Sequence, residues 1–214
     1  MITEVGAERL EIFLETLDME MPSVLKELET EALADAVPVI RRDTQRFLRT
    51  LLEMKRPETI LEIGTAIGYS SVFFSICTKA GITTIENYPK RICAAREHFR
   101  KLGLLERITL LEGDAGDLLP GLTGPYDFIF LDAAQGQYVH FLPELMRLMP
   151  PGGVLVTDNV LIGGDLLESR FAVERRKRTI HRRMREYLRE IMEREELVTT
   201  VIPVGDGLAV TVKR

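Results

Sequence analysis

Residues 61–71 read Leu-Glu-Ile-Gly-Thr-Ala-Ile-Gly-Tyr-Ser-Ser, an apolar run that enters a glycine turn and then residues typical of a helix start. A junction of this kind leaves backbone N–H groups free to face a ligand. The spacing departs from the dinucleotide fingerprint G-x-G-x-x-G, because the second and third glycine positions after Gly64 hold Ala66 and Tyr69. The pyrophosphate-binding form of the turn therefore fits poorly, while a strand-to-helix junction remains.

Short β-rich runs alternate with helical stretches after this junction, which predicts a parallel sheet with helices on both faces. The first 55 residues instead read as helices throughout, with Ser23 as the predicted N-cap of the second. We predict an α/β fold with a doubly wound, mostly parallel sheet, a helical cap over 1–55 and a core over 56–214. The predicted helices cover 8–17, 23–36, 41–54, 70–79, 89–102, 137–149 and 172–195, and the predicted strands cover 59–63, 82–86, 108–113, 128–132 and 153–158, followed by an antiparallel hairpin of 199–204 and 208–213.

The composition is that of one globular domain over 1–214, because 45% of the 214 residues are apolar and 29% are charged. No apolar run approaches the roughly 18 residues that span a bilayer. The first residues lack the pattern of a secretory signal, so we expect a cytoplasmic protein without membrane contact. We interpret Cys77 and Cys93 as core thiols, since neither has a partner at a metal-ligand spacing.

Acidic residues stand at three successive predicted strand ends, the edge of an open sheet where ligands bind. Glu62, two residues before Gly64, suggests the turn that binds S-adenosylmethionine, whose ammonium needs an acceptor. Glu86 can accept the hydroxyls of a ribose, and Asp114 lies where an adenine amino group would be. Each acid alone could be a surface residue, but together behind a glycine turn they indicate a nucleoside cofactor.

Two buried-type strands end in oxygen donors at the same edge, Asp132 after one and Asp158 with Asn159 after the other. Three hard oxygen donors suit Mg²⁺, which keeps open positions for water or substrate. The alternative is that Asp158-Asn159 only begins a turn before Gly163-Gly164.

The charge is uneven, because the chain is −5 overall but has nine basic residues and two acids between Arg170 and Arg189. The basic side chains cover more than one face of the predicted 172–195 helix, so it does not read as a core helix with one solvated stripe. Such a helix suits phosphates, although acids elsewhere or a subunit interface could neutralise it. The candidate nucleic-acid contacts are Arg175, Arg176, Arg178, Arg182 and Arg183.

The motifs LEIGTAIGYSS, IEN, EGDA, LDAAQGQY, TDNVL and IPVGDGL resemble, in order and spacing, those of the cation-dependent O-methyltransferases of the catechol and caffeoyl-CoA type. Within that family the chain is most similar to the bacterial tRNA 5-hydroxyuridine methyltransferases. The resemblance implies a homodimer that uses S-adenosylmethionine and Mg²⁺. Its implied cofactor contacts are Ile40, Glu62, Gly64, Ser70, Glu86, Asp114, Ala115 and Asp132, and its implied catalytic metal ligands are Asp132, Asp158 and Asn159.

One position departs from the family, since the lysine regarded as its general base is here Gln135. An amide is not a useful base at neutral pH, so the metal, another base or an acidic acceptor must account for ionisation. The 5-hydroxyl of 5-hydroxyuridine is enol-like, so we expect methylation of this nucleoside at the tRNA wobble position, giving 5-methoxyuridine. A small-molecule catechol methyltransferase and a non-catalytic RNA-binding module remain the alternatives.

Overall fold

The computed structural model describes residues 7–17 and 21–214. Their strands are β1 (Thr59–Ile63), β2 (Gly81–Glu86), β3 (Ile108–Glu112), β4 (Phe128–Leu131), β5 (Val154–Thr157), β6 (Leu197–Ile202) and β7 (Leu208–Lys213). They form one seven-stranded sheet in the order β3-β2-β1-β4-β5-β7-β6. The first five strands pair in parallel, whereas β7 pairs antiparallel with β5 and β6. The predicted doubly wound sheet with its C-terminal hairpin is confirmed.

The helices lie close to their predicted positions but differ at several ends. The predicted 172–195 helix is too long, because Glu174 is extended and Arg175–Lys177 form a 3₁₀ turn before the helix begins. Ser23 is the first helical residue rather than the N-cap, a position that Pro22 occupies. The helices are α1 (Ala7–Thr16), α2 (Ser23–Ala34), α3 (Arg42–Lys55), α4 (Tyr69–Cys77), α5 (Pro89–Lys101), α6 (Ala115–Leu118), α7 (Tyr138–Leu148) and α8 (Arg178–Glu193).

The strand register brings the carboxyl ends of the central strands to one edge of the sheet. Ile63 of β1 lies opposite Ile85 of β2 and Leu131 of β4, and Leu131 lies opposite Thr157 of β5. Residues that follow these strands therefore meet at a common edge. This register is what places side chains from distant parts of the sequence around one site.

Two apolar layers cover the sheet, one on each face. Alternate strand residues such as Ile60 and Phe128 pack with α2 to α5, whereas neighbours such as Leu61 and Ile129 pack with α7 and α8. At the centre of the first layer, the fully buried Phe74 of α4 makes edge-on ring contacts. The buried sheet thus has the two covered faces expected of parallel strands.

The basic helix α8 has a single buried stripe, which corrects the sequence interpretation. His181, Met184, Tyr187 and Ile191 are all buried and recur every three or four residues, the period of one helix face. Its basic side chains occupy the remaining surface. The sequence interpretation counted the basic side chains on more than one face and overlooked that the buried residues between them form one continuous stripe.

The two cysteines are not both core thiols, because Cys93 is exposed and Cys77 is only partly buried. Cys93 lies on α5, whose buried residues fall on a different face. None of the helices in the described ranges is long and apolar enough to cross a lipid bilayer.

Replacing Phe74 with alanine tests the first apolar layer. The side chain is fully buried and its ring centroid lies 5.3 Å from that of Phe130, so we expect a loss of about 3–5 kcal/mol in unfolding free energy. Urea denaturation followed by circular dichroism measures it. The matched control is Phe171→Ala, because Phe171 is 85% exposed and should cost less than about 0.5 kcal/mol. Equal losses in the two variants would contradict this core assignment.

Candidate functional site

A cavity of about 460 Å³ opens at the carboxyl edge of the sheet, beside the ends of β1, β2, β3 and β4. Gly64, Glu86, Asp114, Ala115 and Asp132 line it, so five of the eight predicted cofactor contacts are brought together. Other parts of the wall come from residues that include Pro38, Asn87, Arg91, Gln137 and Phe141. Sequence reasoning missed Arg91, because a single basic residue early in a helix has no distinctive pattern.

The glycine turn touches the end of β4. Gly64 has φ +105°, and a Cβ there would lie 1.9 Å from the main-chain carbonyl oxygen of Asp132. The amide of Gly64 donates to the carbonyl of Ile85 at 3.0 Å, and the amide of Asp132 donates to that of Ile63 at 2.9 Å. Glycine is therefore required at position 64 both by backbone conformation and by the lack of space.

Glu86 is held against the cavity wall by backbone N–H groups. One carboxylate oxygen accepts from the amides of Asn87 and Tyr88 at 3.0 and 2.9 Å, and the other accepts from the amide of Ala66 at 2.9 Å. A carboxylate offers about four acceptor positions, so capacity remains for a ribose hydroxyl. The arrangement couples Glu86 to the glycine turn directly.

Asp114 stands exposed at the next strand end and caps the short helix α6. Its Oδ1 accepts from the amide of Gly116 at 2.8 Å, and its Oδ2 accepts from the side-chain amide of Asn87 at 3.4 Å. Oδ2 can accept a further hydrogen bond, in keeping with an adenine amino group as donor.

Glu62 does not reach the cavity. It is completely buried beneath the glycine turn, where its Oε2 accepts from the hydroxyls of Ser71 and Thr84, while Oε1 has no partner among the described residues. Burial raises the pKa of Glu62 to about 7. The structure thus makes this carboxyl a brace between β1, β2 and α4, and its contact with the ammonium of the cofactor stays a prediction.

Two further predicted cofactor contacts, Ile40 and Ser70, also lie outside the cavity lining. Ile40 is buried in the first apolar layer, and Ser70 is buried in the first turn of α4. Their predicted contacts with the cofactor stay predictions.

Asp132, Asp158 and Asn159 converge at the cavity's edge. The side-chain amide of Asn159 donates to Asp132 Oδ1 at 3.0 Å, and the backbone amide of Asn159 donates to Asp158 Oδ1 at 2.6 Å. Burial raises the pKa of Asp132 to about 6, and burial together with the negative charge of Asp132 raises the pKa of Asp158 to about 7. Two such carboxylates favour a cation between them.

The chemistry of this donor set fits Mg²⁺, since it consists of two carboxylates and one amide with no thiol or imidazole. Within the part of the chain that the structure describes, no group of three His, Cys, Asp or Glu side chains is placed to hold a metal ion. The candidate site therefore depends on the amide oxygen of Asn159 as its third donor.

Contacts between the loops after β4 and β5 hold these donors, and the sequence did not reveal them. The side-chain amide of Gln135 donates to the main-chain carbonyl of Asn159 at 3.0 Å. The buried hydroxyl of Tyr138 lies 3.2 Å from the carbonyl of Ala133 and 3.4 Å from that of Asp158. No local pattern could have shown that these residues, about twenty positions apart, meet.

Most of the predicted phosphate-binding arginines are engaged within the chain. Arg176 pairs with Glu174 and Arg182 pairs with Glu186, both at 2.7 Å. The guanidinium groups of Arg178 and Arg183 donate to main-chain carbonyls, those of Val173 and Phe171 for Arg178 and that of Gly136 for Arg183. Among these five, only the exposed side chain of Arg175 makes no hydrogen bond or ion pair with residues in the described ranges.

Comparison with known proteins identifies relatives over most of the chain. It is 32% identical over 148 residues to a catechol O-methyltransferase of Niastella koreensis, covering 65% of this chain and 67% of the relative. It is 34% identical over 125 residues to a catechol O-methyltransferase of Mycobacterium tuberculosis, covering 57% of each. The second match thus spans little more than half of either protein.

A solved structure is similar over nearly the whole length. The SAH-bound methyltransferase PaMTH1 from Podospora anserina superposes with a TM-score of 0.87 at 26% identity, covering 97% of this chain and 95% of that one. A family model described as O-methyltransferase matches residues 15–214. With the cavity and the strand-end acids in place, this match shows that the chain belongs to the O-methyltransferase family, which confirms the predicted class of enzyme.

Proposed function

We propose that the chain transfers a methyl group from S-adenosylmethionine to one of two adjacent hydroxyls of a small catechol-type acceptor, at a site that also holds Mg²⁺. The observation that carries the proposal is the double position of Asp132. This residue lines the cavity and, in the same place, contacts Asn159 of the oxygen-donor set. A methyl donor and a chelated acceptor would therefore meet at this carboxylate.

The cavity residues would bind and orient the cofactor. Glu86 would accept from the ribose hydroxyls, and Asp114 would accept from the adenine amino group. Asp132, Asp158 and Asn159 would hold the cation. When bound, S-adenosylmethionine supplies an electrophilic methyl group, and Mg²⁺ supplies positive charge that favours the oxyanion form of the acceptor. Holding both reactants along one sheet edge supplies the alignment that in-line transfer needs.

Residue 135 cannot act as the base that removes the hydroxyl proton of the acceptor. Gln135 already donates its amide N–H to the carbonyl of Asn159, and an amide oxygen does not take a proton at neutral pH. Ionisation would therefore be favoured by the acidity of the acceptor and the charge of the cation, with the proton passing to solvent or to a base other than residue 135. A catechol, whose two oxygens can both contact one cation, meets this requirement.

A small acceptor is favoured by the curated relatives and by the contacts of the basic helix. Both relatives described above are named as catechol O-methyltransferases. Two of the five candidate arginines pair with acids and two others donate to carbonyls of this chain, which leaves fewer guanidinium N–H groups available for a polyanion.

The tRNA nucleoside 5-hydroxyuridine is the second candidate acceptor, and Arg175 with Gln135 favours it. Arg175 is exposed, and an enol-like hydroxyl beside a carbonyl would both chelate a cation and ionise without a protein base. The non-catalytic RNA-binding alternative is disfavoured, because a decayed site would not be expected to keep three adjacent oxygen donors.

Replacing Glu86 with glutamine tests the cofactor cavity. Hydrogen bonds to a charged acceptor contribute about 1.5–3 kcal/mol, so we expect the Kd for S-adenosylhomocysteine to rise roughly 10- to 100-fold. Isothermal titration calorimetry measures it. Glu58→Gln is the matched control, because Glu58 is exposed before β1, at the opposite end of the strand. Unchanged affinity in Glu86→Gln would refute the assigned ribose contact.

A competition between acceptors tests the substrate. The enzyme with S-adenosylmethionine and Mg²⁺ is given a simple catechol or tRNA carrying 5-hydroxyuridine, and methyl transfer is followed by mass spectrometry. We expect methylated catechol, lost reversibly in excess chelator. The triple variant Arg175→Gln, Arg176→Gln, Arg182→Gln should keep this activity within about twofold, because exposed ion pairs contribute little.

Preferential methylation of the tRNA, reduced in the triple variant, would instead establish the second candidate. Undiminished activity in chelator would rule out the metal role while leaving the methyltransferase assignment intact.

A further inference from the structure

Asn159 adopts a left-handed backbone conformation, and its carbonyl is bonded from another loop. Its φ is +59°, in the region that non-glycine residues adopt uncommonly and that asparagine adopts more often than most of them. Its main-chain carbonyl accepts from the Gln135 side chain at 3.0 Å and from the amide of Ile162 at 3.4 Å. The bond from Gln135 is the shorter of the two, and it comes from a different loop.

The loop that carries Gln135 is itself anchored to the basic helix. Gln135–Gln137 form a 3₁₀ turn after β4, and the carbonyl of Gly136 accepts from the Arg183 guanidinium at 2.9 Å. Arg183 is half-buried on α8, which is fixed to the sheet by its apolar stripe. A continuous series of contacts thus runs from α8 through the turn to Asn159, and from Asn159 to Asp132.

We propose that Gln135 is a positioning residue that holds Asn159 in the conformation in which it can serve as a metal donor, with Arg183 fixing the turn from which Gln135 reaches it. This inference rests on the proposed function, because it assumes the donor set of Asp132, Asp158 and Asn159. The Gln135–Asn159 and Arg183–Gly136 contacts together are called the clasp below.

The choice of glutamine suits this role chemically. The Gln135 amide supplies a directed N–H donor and carries no charge, so it binds the Asn159 carbonyl without placing a cation beside Asp132 and Asp158. A lysine at this position would add a positive charge close to two carboxylates that are to share a metal ion. Position 135 therefore serves geometry in this chain rather than proton transfer.

The clasp also gives Arg183 a use that does not involve a polyanion. Its Nη1 is directed at the 135–137 turn, whereas its neighbour Arg182 is exposed and paired with Glu186 along the helix. Adjacent arginines on one helix therefore differ in what they contact. Arg183 contacts the turn that carries Gln135 and not an acid on its own helix.

Two measurements on the purified protein test the clasp. Calorimetric titration of Mg²⁺, with no acceptor present, compares wild type with Gln135→Met, which keeps the side-chain length and removes the donor. Loss of a contact that orients a metal ligand typically lowers affinity 10- to 100-fold, so we expect at least about a 10-fold weaker Kd in this variant. The Kd for S-adenosylhomocysteine should change less than about twofold, since Gln135 is outside the cavity lining.

Hydrogen–deuterium exchange of the metal-free protein supplies the second measurement. Peptides spanning 158–164 should exchange faster in Gln135→Met and in Arg183→Gln than in wild type, and Gln135→Lys, which keeps an N–H donor, should restore the slow exchange. Arg189→Gln is the matched control on α8, because Arg189 is exposed and its carboxylate partner Glu193 is 4.0 Å away. It should match wild type in both measurements.

The outcomes separate the clasp from the proposed function. Wild-type protein that binds no Mg²⁺ refutes the metal role, and the exchange data alone then decide whether the clasp exists. Equal Mg²⁺ affinity in wild type, Gln135→Met and Arg183→Gln, together with unchanged exchange at 158–164, overturns the clasp. If Gln135→Met does not fold, Arg183→Gln carries the same comparison.

Discussion

The close approach of Gly64 to the carbonyl oxygen of Asp132 determines how the two halves of the site meet. Only a residue without a Cβ can occupy position 64, and the amides of Gly64 and Asp132 bond to the ends of β2 and β1 respectively. The end of β4 is therefore pressed against the glycine turn. As a result, Asp132 both lines the cavity and contacts Asn159 of the oxygen-donor set.

Buried carboxyl groups are concentrated around this junction, and they differ in their hydrogen-bond donors and neighbouring charges. Glu62 is sealed under the turn with two hydroxyl donors, and its pKa is raised by burial. The carboxylate of Glu86 accepts hydrogen bonds from three backbone N–H groups. The negative charge of Asp132 helps burial to raise the pKa of Asp158, and a cation between the two carboxylates would relieve their repulsion. Carboxyl groups at this junction therefore differ in burial and in hydrogen-bond donors, and the roles proposed for them differ accordingly.

Much of the architecture follows from the sequence because strand ends carry strong local signals. The apolar runs before Gly64, Glu86, Asp132 and Asp158 predict parallel strands, and the topology of such sheets brings their carboxyl ends together. The mutual proximity of Asp132 and Asn159 could be predicted for that reason. The single-domain boundary, the homodimer and the cytoplasmic location stay predictions.

The remaining features depend on contacts between distant segments, which periodicity does not report. Nothing local to Glu62 tells whether it faces the cavity or lies beneath the turn. The non-helical backbone at Glu174 and the 3₁₀ turn after it precede α8, although the flanking basic residues are compatible with helix. The bond from Gln135 to Asn159 joins residues on two loops, and only the fold shows that position 135 holds a hydrogen-bond donor where a base was expected.

The central claim is that the cofactor cavity and a metal site share Asp132. A crystal structure of the protein with S-adenosylhomocysteine and Mn²⁺, collected for anomalous scattering, tests it most directly. The account predicts one anomalous peak within about 2.5 Å of an oxygen of Asp132, Asp158 and Asn159, next to a ligand whose ribose contacts Glu86. A peak coordinated by other residues, or a ligand bound away from Glu86, would contradict it.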